Sequence, residues 1–100
     1  MKINALLMDP NDNVVTCVEE VKKGNMVTYQ YEGKYKSMEA MEDIPYCHKI
    51  ALEDIEKGGK VIKYGELIGE SSEDIGKGCW VSDKNIFSIP RDYVSEMMEV

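Results

Sequence analysis

The residue best suited to acid–base chemistry is the only histidine of the sequence, His48, which lies in the segment DIPYCHKIALEDI at 43–55. Histidine changes its charge near neutral pH, so it can donate or accept a proton during a reaction. The residue before a proline is pushed out of the α region, so Ile44 and Pro45 favour an extended or turn conformation. We therefore expect His48 in a loop, where it is either a proton-transfer group or an ordinary exposed side chain.

Two lysines near this histidine could form a cationic site for a carboxylate. Lys49 follows His48 directly, and Lys63 lies in the otherwise apolar segment VIKYGELIG at 61–69. A lysine inside an apolar strand can also simply point to solvent from the exposed face of a sheet. Both interpretations of Lys63 stay open at the level of the sequence.

Neither the acidic segment DPNDN at 9–13 nor the cysteines predict a metal site. The segment lacks the twelve-residue spacing and the terminal glutamate of a calcium loop, so we interpret it as a turn. Cys17, Cys47 and Cys79 are widely spaced and form no CxxC pair, which argues against a zinc ribbon or a disulfide framework. We interpret the three as small buried or half-buried thiols and predict no metal ligand on this chain.

The charge and length exclude several classes of partner. The 100 residues include 19 acidic and 12 basic ones, with a net charge of −7 and Arg91 as the only arginine. Binding to nucleic acid or to an anionic membrane depends on clustered Lys and Arg, so neither is expected. No apolar run approaches the roughly 20 residues that cross a bilayer, and no signal-peptide pattern is present. We expect a cytoplasmic protein of one domain.

The elements that must position these residues follow from the spacing of the apolar side chains. MKINALLM at 1–8 is a strand candidate. Val or Cys at positions 14, 17, 18 and 21 predicts a short helix, with Asp12 or Asn13 as its N-cap and Gly24 at its end. The alternation in MVTYQY at 26–31 predicts a strand, followed by a hairpin turn at 32–34 and a second strand to position 41.

The second half of the sequence is rich in glycine, with six glycines between positions 58 and 78. This density indicates tight turns and bulges between short strands, which we place within 60–71 and 79–89. After Pro90, the segment RDYVSEMMEV could form one more short helix.

A repeated pattern, acidic–Ile/Val–x–Lys–Gly, occurs in LEDIEKGGKV at 52–61 and SEDIGKGCWV at 72–81, and less clearly in VEEVKKGNMV at 18–27. Acidic residues favour the start of a helical turn and lysine its end, while glycine tolerates the left-handed exit. We interpret each copy as one helical turn followed by a strand. The alternative is that the glycines bind a ligand.

Three parts of the sequence together resemble a known family. They are DNVVTCVEEVKKGNMV at 12–27, EDIPYCHKIALEDIEKGGKVIKYGELIGESSEDIGKG at 42–78, and Asn85. They are similar to the small N-terminal domain of the altronate/galactarate dehydratases. The resemblance implies a SAF-type β-clip, mainly β with short helices, as a single compact domain over 1–100. Its core would be 12–89, with 90–100 as a C-terminal tail.

In that family the domain is either fused to a large catalytic region or a separate small subunit, as in the sulfolactate sulfo-lyases. The resemblance therefore implies the small subunit of a two-component sugar-acid dehydratase, which removes water from a hydroxy acid by β-elimination. The implied partners are a large catalytic subunit and a small anionic sugar acid. Whether copies of this chain also associate into a homo-oligomer stays open at this point. A divalent metal, iron or manganese, is expected in the large subunit.

The same resemblance assigns roles to individual residues. His48 matches a position expected to be catalytic, as a proton-transfer or substrate-binding group. The other matching positions are expected to bind the substrate: Lys49, Lys63, Tyr64, Asn13 and Asn85. Asp12 and Asn13 could instead serve only as caps of the predicted helix.

The chain departs from the family pattern in the segment CWVSDKN at 79–85. Trp80, Ser82 and Lys84 stand where histidines are expected, and Cys47 replaces the glycine before His48. A tryptophan cannot bind a metal or transfer a proton as an imidazole does. A second hypothesis is therefore a non-catalytic SAF-type module that binds a small anion or a partner protein.

Overall fold

The computed structural model describes residues 2–88, and every regular element in that range is a strand. The predicted mainly β domain is confirmed. The helix predicted after Pro90 lies outside the described residues, and within them no helix could span a membrane. The strands in chain order are β1 Ala5–Leu6, β2 Val14–Cys17, β3 Met26–Tyr31, β4 Lys34–Glu39, β5 Lys49–Ala51, β6 Lys60–Lys63, β7 Glu66–Ser71, β8 Trp80–Val81 and β9 Ile86–Ser88.

The helix predicted over 14–21 is wrong, because this segment contains the central strand β2. β2 pairs in antiparallel fashion with β1 on one side and β5 on the other. Val14 and Val15 are consecutive and both only 1% exposed, so the strand is buried on both faces and lacks the usual alternation. β-branched side chains also favour a strand here. The helical spacing of Val18 and Val21 was therefore misleading.

The central sheet has the order β1-β2-β5-β8, and a hydrophobic core lies against each of its faces. Val15 and Ile50 face each other across β2 and β5 and belong to what we call the first core, with the β3–β4 hairpin. Val14 and Ala51, the next pair along, belong to the second core, with the sheet β6-β7-β9. Because neighbouring residues of a strand point to opposite faces, one short central sheet organises both cores.

Two hairpins have two-residue turns. Glu32 and Gly33 join β3 to β4 with φ angles of 48° and 80°. Tyr64 and Gly65 join β6 to β7 with φ angles of 57° and 70°. Positive φ at both central residues is what a type I′ turn requires, and this turn matches the twist of antiparallel strands. The hairpin predicted at 32–34 is confirmed.

The repeated pattern forms the corners of the fold, and the structure reveals a fourth copy. MEDIPYCHKI at 41–50 has the same backbone course as the three copies found in the sequence: two bends, one bridge residue, a tight turn and a strand. We call the copies corner 1 (18–27), corner 2 (41–50), corner 3 (52–61) and corner 4 (72–81). The predicted helical turn is wrong, since each corner contains a bridge and a turn instead, whereas the strand that follows is confirmed.

The corners associate in two pairs. Val21 of corner 1 and Ile44 of corner 2 form a bridge with two reciprocal backbone hydrogen bonds, and Ile55 and Ile75 do the same in corners 3 and 4. The turn of each corner ends on a residue with positive φ. This residue is a glycine in corners 1, 3 and 4 and Cys47, at φ 65°, in corner 2.

Candidate functional site

His48 lies at the end of the corner 2 turn, directly before β5, as the predicted loop position requires. Its side chain is exposed and contacts Trp80 of β8. The Nε1–H of Trp80 donates to Nδ1 of His48 at 3.0 Å, and the ring centroids are 5.1 Å apart at an angle of 78°. Ile50 lies opposite Trp80 across β5 and β8, so His48 is the diagonal neighbour of the indole.

Trp80 is held from several directions. Its backbone N–H donates to Oε2 of Glu42 at 3.0 Å, and its carbonyl accepts from Nδ2 of Asn85 at 2.8 Å. The half-buried indole packs against the first core. Position 80, where the family resemblance led us to expect a histidine, is therefore the position that contacts His48.

Lys49 and Lys63 form a second group of side chains. Burial lowers the pKa of Lys49, and the positive charge of Lys63 lowers it further, while the carboxylate of Asp83 partly opposes the shift. The two lysines are thus close enough for their charges to interact. A pair of neighbouring cations, one of them half-buried, favours the binding of a carboxylate, which would relieve their repulsion.

The structure separates His48 from this lysine pair by the plane of the sheet. Trp80, the partner of His48, packs against the first core. Lys49 directly follows His48 in the sequence, so its side chain points to the opposite face of the sheet. There it interacts with Lys63 of β6, in the sheet that covers the second core. The predicted site residues thus form two neighbouring groups at one end of β5.

Tyr64 is placed beside Lys63 by a buried carboxylate. Asp12 is 6% exposed and accepts from the backbone N–H groups of Tyr64 at 3.0 Å and Gly65 at 2.8 Å. The Nζ of Lys63 lies 5.2 Å from the centroid of the Tyr64 ring, a cation–π contact. Asp12 therefore caps a hairpin turn and not a helix, and it positions the residues that the resemblance implies for substrate binding.

Asn13 and Asn85 have well-defined backbone partners. The carboxamide of Asn13 donates to the carbonyl of Lys60 and accepts from the N–H of Ile62, both at 2.8 Å, and so ties β6 to the start of β2. The carboxamide of Asn85 accepts from Ser82 at 2.8 Å besides its bond to Trp80. Their expected role in substrate binding stays a prediction. In the structure both carboxamides hold neighbouring backbone segments of the site together.

The other two positions where we expected histidines lie in a turn after β8. Ser82 is buried, and its Oγ accepts from the backbone N–H of Lys84 at 3.2 Å. Lys84 is exposed. Within residues 2–88 no group of three or more His, Cys, Asp or Glu side chains could hold a metal ion. The expectation of a divalent metal in a large subunit stays a prediction.

The three cysteines are free within the described part of the chain. Cys17 is buried, and burial, with a smaller contribution from the charge of Glu19, raises its pKa from 9.0 to about 11. Cys79 is half-buried, and burial also raises its pKa. The prediction of buried or half-buried thiols is wrong for Cys47, which is exposed because the corner 2 turn carries it at the surface.

Comparison with known proteins places this architecture in a family. The family model described as the altronate/galactarate dehydratase SAF domain matches residues 3–88. The chain is 41% identical over 49 residues to galactarate dehydratase (L-threo-forming) of Escherichia coli, covering 49% of the chain and 9% of that enzyme. It is 35% identical over 85 residues to altronate dehydratase of Escherichia coli, covering 85% of the chain and 15% of that enzyme.

A third relative is matched along nearly its whole length. The chain is 33% identical over 89 residues to (2R)-sulfolactate sulfo-lyase subunit alpha of Chromohalobacter salexigens, covering 86% of the chain and 95% of that subunit. The chain therefore spans 15% or less of the two dehydratases and nearly all of the sulfo-lyase subunit.

Proposed function

This chain belongs to the altronate/galactarate dehydratase SAF domain family, and on that basis we propose that it is the small subunit of a two-component sugar-acid dehydratase. The observation that carries the proposal is its match to 95% of a sulfo-lyase subunit alpha, since in that relative the domain is a subunit of its own. The partner would be a large catalytic subunit. A cytoplasmic location is part of the proposal, because three free cysteines suit a reducing compartment.

The residues of this chain would complete a substrate site at the contact with the large subunit. Lys49 and Lys63 would receive the carboxylate of the hydroxy acid, which their mutual repulsion favours. His48 would contact an oxygen atom of the same substrate from the other face of the sheet, at the end of β5 that it shares with Lys49. Elimination of water needs a proton removed next to the carboxylate and charge stabilised as it develops there.

A divalent metal in the large subunit would stabilise the developing enediolate as a Lewis acid. The described residues of this chain offer no set of ligands for such an ion. In this proposal the chain binds and orients the substrate by charge and hydrogen bonding.

The test is reconstitution with a large subunit of this family. The two chains are co-expressed, co-purified and assayed for elimination from altronate, galactarate and sulfolactate. We expect a stable complex that is active on at least one acid. Lys63→Met should raise KM more than it lowers kcat, because it removes part of the carboxylate site, while Lys34→Met in the distant β3–β4 hairpin serves as the charge-matched control. No activity on any of these acids would refute the proposal.

The second candidate is a non-catalytic module that binds a small anion or organises a partner. One observation favours it: Trp80 occupies the position next to His48 where the resemblance implies a histidine. The variant His48→Ala separates the two candidates. Loss of turnover with an intact complex supports the substrate-binding subunit, and unchanged turnover supports the non-catalytic module.

A further inference from the structure

The hydrogen bond between Trp80 and His48 has a direction that chemistry fixes. An indole Nε1–H can only donate. The 3.0 Å contact with Nδ1 of His48 therefore requires this nitrogen to accept through its lone pair. A neutral imidazole has one such nitrogen and carries its proton on the other. In the neutral form of His48 the ring proton consequently lies on Nε2.

The donor is fixed before any ligand arrives. Both backbone groups of Trp80 have side-chain partners, Glu42 on the N–H and Asn85 on the carbonyl, and the indole packs against the first core. His48 itself is exposed and lies in the turn directly before the short strand β5, which starts at Lys49. The indole is thus the rigid member of the pair, and the imidazole is the member whose state it sets.

We propose that Trp80 is a positioning residue that holds the neutral form of His48 in its Nε2–H tautomer. Because Nδ1 accepts from the indole and Nε2 carries the proton, the held ring has no free lone pair. It donates a hydrogen bond to a ligand oxygen, which in the elimination is an oxygen of the carboxylate or of the leaving hydroxyl group. The base that removes the proton next to the carboxylate must be another group.

This role of His48 in elimination rests on the proposed function, whereas its tautomer does not. A histidine at position 80 could either donate to or accept from residue 48, so both tautomers of His48 would be accessible. Trp80 removes that freedom. The replacement is therefore compatible with a working substrate site in which residue 48 has a single defined role.

Nitrogen-15 NMR of the full chain tests the tautomer directly. The sequence contains one histidine and one tryptophan, so each ring gives a single set of signals. At a pH where the imidazole is neutral, long-range proton–nitrogen correlations should show an unprotonated Nδ1 and a protonated Nε2. Protonation mainly on Nδ1, or a mixture of the two forms, would overturn the proposal.

Two variants test the part played by Trp80. Trp80→Phe keeps an aromatic ring against His48 but removes the donor, so the protonation of Nε2 should fall to a mixture of both tautomers. His48→Ala removes the acceptor, so the indole N–H resonance should move upfield. The backbone amide signals should keep the dispersion of a folded protein. An unchanged tautomer in Trp80→Phe, or an unmoved indole resonance in His48→Ala, would contradict the proposal.

These spectra are recorded without a large subunit, so they are independent of the lyase assay. An inactive reconstituted complex together with the expected tautomer would refute the proposed function and leave the positioning role intact. An active complex in which His48 carries its proton on Nδ1 would support the proposed function and refute the positioning role of Trp80.

Discussion

Asp54 and Asp74 cap each other's corners with equivalent hydrogen bonds. Oδ1 of Asp54 accepts from the backbone N–H of Lys77, and Oδ1 of Asp74 accepts from that of Lys57, each at 2.8 Å. Asp43 of corner 2 makes the same contact with corner 1. The acidic residue of the repeated pattern therefore stabilises the turn of the paired corner and not the start of a helix in its own corner.

Removing one of these carboxylates should destabilise the domain measurably. Asp74→Ala leaves the N–H of Lys57 without its protein acceptor, and we expect the free energy of unfolding in urea to fall by about 1 kcal/mol. Glu73→Ala, which removes the adjacent exposed carboxylate, is the control for the change in net charge. Equal effects of the two substitutions would show that the capping bond contributes nothing.

The sequence allowed the local parts of this fold to be predicted and hid the parts that depend on pairing. The β3–β4 hairpin has an alternating strand and a glycine in its turn, and both signals lie within a few residues. β2 gave no such signal, because Val14 and Val15 face different cores. Corner 2 was missed because Tyr46 and Cys47 replace the Lys-Gly that marks the other copies.

The candidate site shows the same division. The sequence placed His48 in a loop next to Lys49, but the approach of Lys63 to Lys49 depends on how β6 is attached to β2. The contact between His48 and Trp80 joins residues 32 positions apart. It depends on the register of β5 with β8, which single-sequence patterns do not specify. A tryptophan in place of an expected histidine was the one signal that pointed to this position.

Replacing Cys47 by glycine should stabilise the domain. Cys47 has a φ of 65°, where an L-residue is strained by about 1–3 kcal/mol, while glycine costs about 0.5–1 kcal/mol in added freedom of the unfolded chain. We expect the free energy of unfolding of Cys47→Gly to rise by up to about 2.5 kcal/mol. Gly58→Ala, at the matching position with φ 83° and open space around it, is the reciprocal test and should destabilise. A destabilised Cys47→Gly would mean that its thiol makes a compensating contact.

The three thiols should differ widely in reactivity. The thiolate is the nucleophile, so a buried thiol with a raised pKa reacts slowly. With iodoacetamide at neutral pH and peptide mass spectrometry, we expect Cys47 to be labelled first and Cys79 more slowly. Cys17, with its pKa of about 11, should be labelled only on unfolding. Cys47→Ser should abolish the fast phase. Rapid labelling of Cys17 in the folded protein would be inconsistent with its burial.

Asp12 should be essential to the turn that presents Tyr64. Its carboxylate also accepts from the backbone N–H of Asp9 at 3.1 Å, which makes three donors in all with Tyr64 and Gly65. Asp12→Asn offers one oxygen and turns an NH2 group toward N–H donors, so we expect unfolding to become easier by about 1–3 kcal/mol. Glu53→Gln is the matched control on the surface. A loss no larger than in this control would show that water replaces the carboxylate.

The stability of the domain should depend on the ionisation of Lys49. Its pKa is lower in the folded protein than in the unfolded chain, so between the two pKa values the unfolded chain binds more protons, and this lysine makes stability rise with pH. Lys49→Met removes the contribution, which is read as the difference between the two curves of unfolding free energy against alkaline pH. Lys63→Met should reduce the difference without abolishing it, because burial is the larger cause. If the free energy of unfolding of the wild-type protein fell relative to that of Lys49→Met as the pH rises, this would contradict the lowered pKa.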